Sequence, residues 1–254
     1  VPASLYVLRH ERLKYACKTC QGEVAVADKP VEGLSKSLAG PGLHAQILTS
    51  KYGDHIPLYR LERIFKRHGV EIARSTMCQW VGQCADLCSP LIELMKRRIL
   101  TSKVIQSDDT PVKQQTVGKG KLKTCRFWPY RGDETNPYTV FDYTPDRSRD
   151  GPLKWFKNTC FEGYLQTDAY SVYNVFFTKP WQMTHVGCWA HVRRKFYDCR
   201  TTSPQAHEML LLIGALYKTE KQAKEFDAQR RFELRQSQSR AVLKKISLVR
   251  IKTG

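Results

Sequence analysis

Two aspartates stand directly after strand-like segments, at positions where α/β proteins often carry out chemistry. Asp108 follows residues 103–107, and Asp168 follows residues 164–167. Because the carboxyl ends of strands line the functional crevice of an open α/β sheet, we expect these two carboxylates to lie together. Either one alone would be an ordinary turn or cap residue, and Asp168 could cap a helix that begins at Ala169. It is the pair that predicts a site.

Helix geometry selects a third acid. Residues four and seven apart share a helix face, so Glu220 lies with Leu216 and Ile213 on the apolar stripe expected to pack on the sheet. Glu208 and Glu225 point away from that stripe. A core-facing acid must be paired or bind metal, and a salt bridge to a nearby Lys or Arg is the alternative explanation. Three converging carboxylates suit Mg²⁺ or Mn²⁺ and are typical of two-metal phosphoryl transfer.

The charge of the chain points to a polyanionic partner. The sequence has 42 Lys and Arg against 24 Asp and Glu, a net charge of +18, and nucleic acid is the commonest partner of such proteins. A merely basic surface is the alternative. The longest apolar stretch, 209–217, is too short for a membrane span, and no signal segment opens the chain. With an odd number of cysteines, nine, we expect reduced thiols, no membrane contact and a cytoplasmic location.

A short cysteine motif near the start has the spacing of half a zinc site. Cys17 and Cys20 form a C-x-x-C pair with His10 as an available third ligand, and no fourth ligand is apparent. A single C-x-x-C is weak evidence for zinc. Cys188 and His191 also have ligand spacing, but soft ligands beside a carboxylate magnesium site would be unusual.

Two helical segments carry candidate DNA contacts. Residues 58–81 have the form of a helix-turn-helix whose second helix opens at Ser75, although the same shape can arise from packing alone. There we expect contacts from Arg74, Ser75 and Gln79. The second segment places His191, Arg194 and Lys195 on one basic helix face, which could hold a DNA backbone or be merely solvated. Arg193 adds a further cation.

The elements that must position these residues change in character near residue 100. Residues 43–100 are helical, with one helix that ends at Gly69 and another that begins at Pro90. The first of these helices should carry an apolar face, formed by Leu58, Leu61, Ile64 and Phe65. The strand-like and helical runs that follow lie at 103–107, 126–130, 138–143, 152–157, 163–167, 184–188, 189–199 and 205–228. Strands followed by alternating strands and helices predict an α/β fold with a mixed sheet.

Seven segments occur in the order of one known family over nearly the whole chain. They are 14–20 (KYACKTC), 52–60 (YGDHIPLYR), 75–81 (STMCQWV), 107–112 (SDDTPV), 146–149 (DRSR), 163–170 (GYLQTDAY) and 188–196 (CWAHVRRKF). Through them the chain resembles the bacterial transposases of the insertion-sequence sixty-six family. The resemblance implies an RNase H-like core with a DDE triad that cuts and joins DNA ends with Mg²⁺. Its acids would be Asp108, with Asp109 where the family usually has Glu, then Asp168 and Glu220.

The resemblance also divides the chain. We expect a partial zinc-binding segment at 1–28, a linker at 29–41, a helical DNA-binding region at 42–101, an RNase H-like core at 102–229 and a basic tail at 230–254. The family has an earlier cysteine pair and continues beyond this sequence, so we expect an internal fragment or the product of a decayed gene.

The expected partners are double-stranded DNA at transposon ends and target, a second copy of the chain on DNA, and accessory transposition proteins in the bacterial nucleoid. The alternatives are a non-catalytic DNA-binding regulator and a structure-specific nuclease on the same core.

Overall fold

The computed structural model contains two compact units, Val1–Leu91 and Ile92–Gly254. It describes residues 4–20, 22, 24–28, 30, 34, 37–116, 118, 120–181 and 183–249. Much of the predicted linker and the last residues of the predicted tail therefore lie outside the described residues. No helix in the described ranges is both long and apolar enough to cross a bilayer.

The first unit combines a small hairpin with helices. Strands β1 (Lys14–Ala16) and β2 (Val24–Val26) pair antiparallel. The helices are α1 (Pro41–Leu48), which continues as a π-helical turn at Thr49–Gly53, α2 (Leu58–Arg67) and the start of α3 (Arg74–Ile99). The apolar face predicted for α2 is confirmed, because Leu58, Leu61 and Phe65 are buried together in the core of this unit. Gly69 follows α2 with φ of +78°, a conformation that glycine adopts without strain.

Helix α3 corrects two expectations. The second helix of the helix-turn-helix was predicted to open at Ser75, but α3 begins at Arg74, whose N–H donates to Glu62 Oε1 at 3.0 Å. The cap therefore comes from a neighbouring helix. Pro90 was predicted to begin a new helix, but it lies inside α3. Proline leaves the carbonyl four residues earlier, that of Asp86, without its N–H donor, and the Ser89 hydroxyl donates to that carbonyl instead.

The second unit is built on a six-stranded mixed sheet, which confirms the predicted α/β class. Its strands are β3 (Val104–Ser107), β4 (Thr110–Gln115), β5 (Leu122–Arg131), β6 (Thr139–Thr144), β7 (Tyr164–Thr167) and β8 (Thr184–Gly187). Strand β5 pairs with β4, β3 and β6, and the sheet continues from β3 to β7 and then to β8. Strands β3, β7 and β8 are parallel neighbours, whereas the pairs that involve β5 are antiparallel.

Strands β3 and β4 lie along the same side of β5 as one interrupted line. Ser107 lies opposite Tyr130 and Thr110 opposite Phe127, so the register is unchanged across the gap. Within the matching stretch of β5 stands Pro129, which has no N–H to give to the ladder. The chain is free of regular pairing between β3 and β4, where Asp108 and Asp109 stand. The sequence pattern did not predict β4.

One face of the sheet carries the aromatic core. Tyr130 stacks on Trp155 with ring centroids 3.9 Å apart, and the Trp128 indole N–H donates to Thr144 Oγ1 at 2.7 Å. These side chains are buried with Phe156 and Phe176. The helices of this unit are α4 (Asp150–Phe156), a 3₁₀ segment at Ser171–Phe177, α5 (Trp189–Asp198) and α6 (Pro204–Gln222).

The described part of the predicted tail is helical. It comprises α7 (Ala228–Leu234), a π-helical turn (Arg235–Ser239) and α8 (Arg240–Leu248). Both α8 and this turn pack against α6, where Thr219 Oγ1 donates to Gln238 Oε1 at 3.3 Å. The polar composition of the segment did not predict this packing, because its contacts with α6 include polar side chains such as Gln238.

Candidate active site

Parallel pairing brings the two predicted aspartates together. Gln106 of β3 lies opposite Gln166 of β7, and Asp108 and Asp168 each follow two residues later. Carboxylate oxygens of Asp108, Asp109 and Asp168 all lie within 4.8 Å of one another. The expectation that Asp108 and Asp168 meet at the strand ends is therefore met, and Asp109 is a third member that strand-end reasoning did not select.

Asp109 is the buried member of this group. Only 2% of its side chain is exposed, and it forms ion pairs with Arg126 at 2.8 Å and with Arg147 at 2.6 Å. The Arg147 guanidinium donates from both Nε and Nη2, which is the bidentate geometry of strong arginine–carboxylate pairs. Two arginines thus face one carboxylate, and the charge of Asp109 is compensated within the protein.

Asp108 has a different environment from its neighbour in sequence. Its side chain is 46% exposed, and Oδ2 lies 3.6 Å from His191 Nε2 on α5. Oδ1 accepts the N–H of Asp109 at 2.8 Å. No arginine or lysine pairs with Asp108 among the described residues. Its charge therefore remains available to a cation.

Asp168 is held by the loop that follows β7. Its Oδ1 accepts the N–H of Tyr170 at 3.0 Å, and the Tyr170 hydroxyl donates to the Arg147 carbonyl oxygen at 2.9 Å. The Arg147 guanidinium lies 3.9 Å from the centre of the Tyr170 ring, within the range of a cation–π contact. Arg147 and Tyr170 therefore connect the loop of Asp168 to Asp109. Strand-end reasoning missed both residues, although Arg147 lies in the 146–149 segment that carries part of the family resemblance.

A buried tyrosine lies beneath the carboxylates. Tyr173 shares a hydrogen bond of 3.0 Å with Ser107 Oγ, the last residue of β3. Burial raises the pKa of Tyr173 far above its usual range, and the hydrogen bond to Ser107 opposes part of that rise. The neutral phenol thus connects the end of β3 to the 3₁₀ segment.

Glu220 lies on α6 in a salt bridge. Arg235 donates to both of its carboxylate oxygens, at 2.7 and 2.8 Å, and this hydrogen bonding lowers the pKa of Glu220. The side chain is 46% exposed, whereas its neighbour Thr219 is buried. The expectation that Glu220 faces the core is wrong, because the turn that carries Arg235 and Gln238 packs against the end of α6 and buries Thr219 instead. Glu220 does not belong to the aspartate group found in the described residues.

The residues predicted to contact DNA lie on two surfaces. Arg193, Arg194 and Lys195 are exposed on α5, the helix that brings His191 to Asp108. In the other unit, Arg74, Ser75 and Gln79 are exposed on the first turns of α3.

The predicted zinc ligands Cys17 and Cys20 lie at the turn of the small hairpin and are both exposed. Hydrogen bonds from Cys20 and Thr19 lower the pKa of Cys17 to about 7. Within the described residues no third ligand completes a group around this pair. Zinc at this position stays a prediction.

The aspartate group fits a hard divalent cation. Its donors are carboxylate oxygens alone, which Mg²⁺ and Mn²⁺ prefer over soft ligands. Asp108 and Asp168 are partly exposed, so an ion could reach their carboxylates from solvent.

Comparisons with known proteins identify the family. The sequence profile of the transposase IS66 family matches residues 36–251. Uncharacterized protein y4qI of Sinorhizobium fredii (strain NBRC 101917 / NGR234) is 32% identical over 96% of this chain and 47% of its own length. Uncharacterized protein y4jD of the same strain is 29% identical over 97% of this chain and 50% of its own length. The chain thus spans about half the length of these curated relatives. On the family match, this chain belongs to the IS66 family of transposases.

Proposed function

We propose that the second unit is the catalytic core of a DNA transposase, with an RNase H-like fold over residues 102–229. The observation that carries the proposal is the meeting of Asp108 and Asp168 at the ends of two parallel strands in a member of this family. Asp109 lies beside them but is compensated by two arginines. We therefore assign ion binding to Asp108 and Asp168, and positioning to Asp109.

The proposed cofactor is Mg²⁺ or Mn²⁺. Divalent cations at these carboxylates would stabilise the charge on the attacking and leaving oxygens of a phosphodiester. The protein supplies the ligands in fixed positions, because Asp168 accepts a hydrogen bond from its own loop and Asp108 lies at the gap between β3 and β4. His191, next to Asp108, would contact the phosphate on the same side.

The third acid of the proposed DDE triad is Glu220, which rests on the family pattern of residues 217–220. For Glu220 to join the aspartates, its salt bridge with Arg235 would have to open. Exposed ion pairs of this kind contribute only about 0–1 kcal/mol. A DNA phosphate could therefore replace Glu220 beside Arg235, or a divalent cation could replace Arg235 beside Glu220, at small cost.

The proposed partner is double-stranded DNA. The exposed cations of α5 would contact the backbone near the carboxylates, and Arg74, Ser75 and Gln79 would form the contacts of a helix-turn-helix. Self-association on DNA, accessory transposition proteins, nucleoid association and a partial zinc site at Cys17 and Cys20 belong to the same proposal.

The proposal is tested by metal-dependent strand cleavage of DNA that carries transposon ends. Asp108→Asn, Asp168→Asn and Glu220→Gln should each lower cleavage by about 10³-fold or more, because each removes a ligand charge. Affinity of Asp108→Asn for DNA should be equal to or higher than that of the wild type, since a negative charge near the phosphate is lost.

Glu208→Gln is the matched control, because it removes the same charge from an exposed position on α6. It should cleave like the wild type. Full activity of Asp108→Asn, or loss of its DNA binding with the fold intact, would contradict the assignment.

A second candidate is a non-catalytic DNA-binding protein, and the salt bridge between Glu220 and Arg235 is the observation that favours it. This candidate predicts salt-sensitive DNA binding that neither Mn²⁺ nor removal of divalent ions alters. Cleavage that requires Glu220 would exclude it.

A further inference from the structure

An open cleft of about 760 Å³ lies beside the aspartate site. Arg147 and Tyr170, which tie Asp109 to the loop of Asp168, form part of its wall. The rest of the wall comes from the start of α4 and from the 3₁₀ segment, including Arg149 and Asn174. The cleft therefore begins where the carboxylate site ends.

The two arginines of the wall differ in whether their charge is free to bind a ligand. The Arg147 guanidinium is occupied by Asp109 and by the Tyr170 ring. Arg149 is exposed, and among the described residues it has no carboxylate partner. Among the described residues that line the cleft, Asp150 is the one acid, against the two arginines Arg147 and Arg149.

The uncharged part of the wall suits a sugar and a base. Val172 and Val175 are half-buried against the aromatic core and offer apolar surface. Asn174 is exposed between them, with an amide that can donate and accept hydrogen bonds. A free guanidinium, an apolar wall and an amide together match the phosphate, the deoxyribose and the base edge of one nucleotide.

We propose that this cleft binds a nucleotide of the DNA strand directly next to the bond that is cut. The proposal rests on the proposed function, because it places that bond at Asp108 and Asp168. In the cleft, Arg149 contacts the phosphate, Val172 and Val175 contact the sugar, and Asn174 contacts the base edge. Arg147 is a positioning residue, since its guanidinium is already engaged.

The test measures affinity of the full chain for a short duplex oligonucleotide and for its single strand, without divalent ions. Arg149→Ala should weaken binding by roughly five-fold and lower the slope of log affinity against log salt by about one. Asn174→Ala should weaken binding by about three-fold at unchanged slope, because it removes a hydrogen-bonding group and no charge. Thermal unfolding of both variants should match that of the wild type, since both positions are exposed.

Lys224→Ala is the matched control, because it removes one exposed cation from a residue that does not line the cleft. It should lower affinity by less than Arg149→Ala. Equal losses of affinity in Lys224→Ala and Arg149→Ala would indicate a general charge effect and would overturn the proposal. Wild-type affinity of Asn174→Ala would overturn it as well. Either outcome leaves the cleavage result for Asp108→Asn unaffected, so failure of the cleft and failure of the proposed function are distinguishable.

Discussion

Asp108 and Asp109 show how far two adjacent, chemically identical side chains can differ. The carboxylate of Asp109 is 2% exposed and lies between two arginines, whereas that of Asp108 is 46% exposed and pairs with no arginine in the part of the chain that the structure describes. The first stabilises the fold and the second is open to an incoming cation. The place of Asp108 after a strand predicted that it meets Asp168, but that place cannot tell which of two neighbouring carboxylates will pair with the arginines.

Asp109→Asn should therefore lower the free energy of unfolding of the second unit by about 2 kcal/mol, because the neutral amide would leave Arg126 and Arg147 without the counter-charge of Asp109. The effect stays below that of a fully buried pair, since the Arg147 side chain is 42% exposed. Denaturation by urea, followed by tryptophan fluorescence, measures the change. Trp128, Trp155, Trp181 and Trp189 all lie in this unit.

Asp108→Asn is the control for that measurement. It should change the free energy of unfolding by less than about 0.5 kcal/mol, as is usual for exposed substitutions. Equal destabilisation by the two variants would contradict the different roles of the two aspartates.

At the scale of elements, the parallel pair of β3 and β7 builds the site, and the entry to β7 is tight. Gly163 immediately precedes β7, and a Cβ at this position would lie 2.6 Å from both the Lys103 carbonyl oxygen and the Phe161 ring. The same carbonyl accepts the N–H of Tyr164 at 2.9 Å, which aligns the two strands. A side chain at Gly163 would therefore push β7 away from β3 and separate Asp168 from Asp108.

Gly163→Ala should lower the free energy of unfolding by about 1–3 kcal/mol, the usual cost of overpacking. It should also reduce metal-dependent cleavage, because the strand ends move apart. Gly187→Ala, at the end of β8, serves as the comparison, since a Cβ there meets nothing within 4 Å. If both variants unfold at the same urea concentration, close approach at Gly163 does not limit the strand pair.

At the scale of the whole molecule, a net charge of +18 coexists with a local group of three acids. In such a field, a divalent cation is not attracted over long distances, so only ligands held in place can bind it. Binding to the folded state alone raises stability by mass action.

Mn²⁺ at about 100 times its dissociation constant should therefore stabilise the wild type by about 2.7 kcal/mol. For a chain of this size that is a rise in Tm of roughly 5–10 °C. Differential scanning calorimetry with and without Mn²⁺ measures it. Asp108→Asn and Asp168→Asn should each lose most of the rise, and an unchanged rise in both would place the ion elsewhere.

The local pattern of the sequence determined the fold class of this protein and part of its candidate site. The α/β class, the apolar face of α2 and the meeting of Asp108 and Asp168 followed from side-chain periodicity and from strand ends, which depend on neighbours a few residues away. The family was also identifiable from short segments, and six of the seven lie within the residues that the family profile matches.

Tertiary structure alone decided the partners of the charged groups. Arg147 is 38 residues from Asp109 in sequence, Arg235 is 15 from Glu220, and Glu62 caps a helix that begins 12 residues later. Strand β4 and the helical end of the chain likewise depend on β5 and on α6. A carboxylate can pair with any of many cations at little difference in energy, so the choice among them is made only when the fold fixes which one lies within reach.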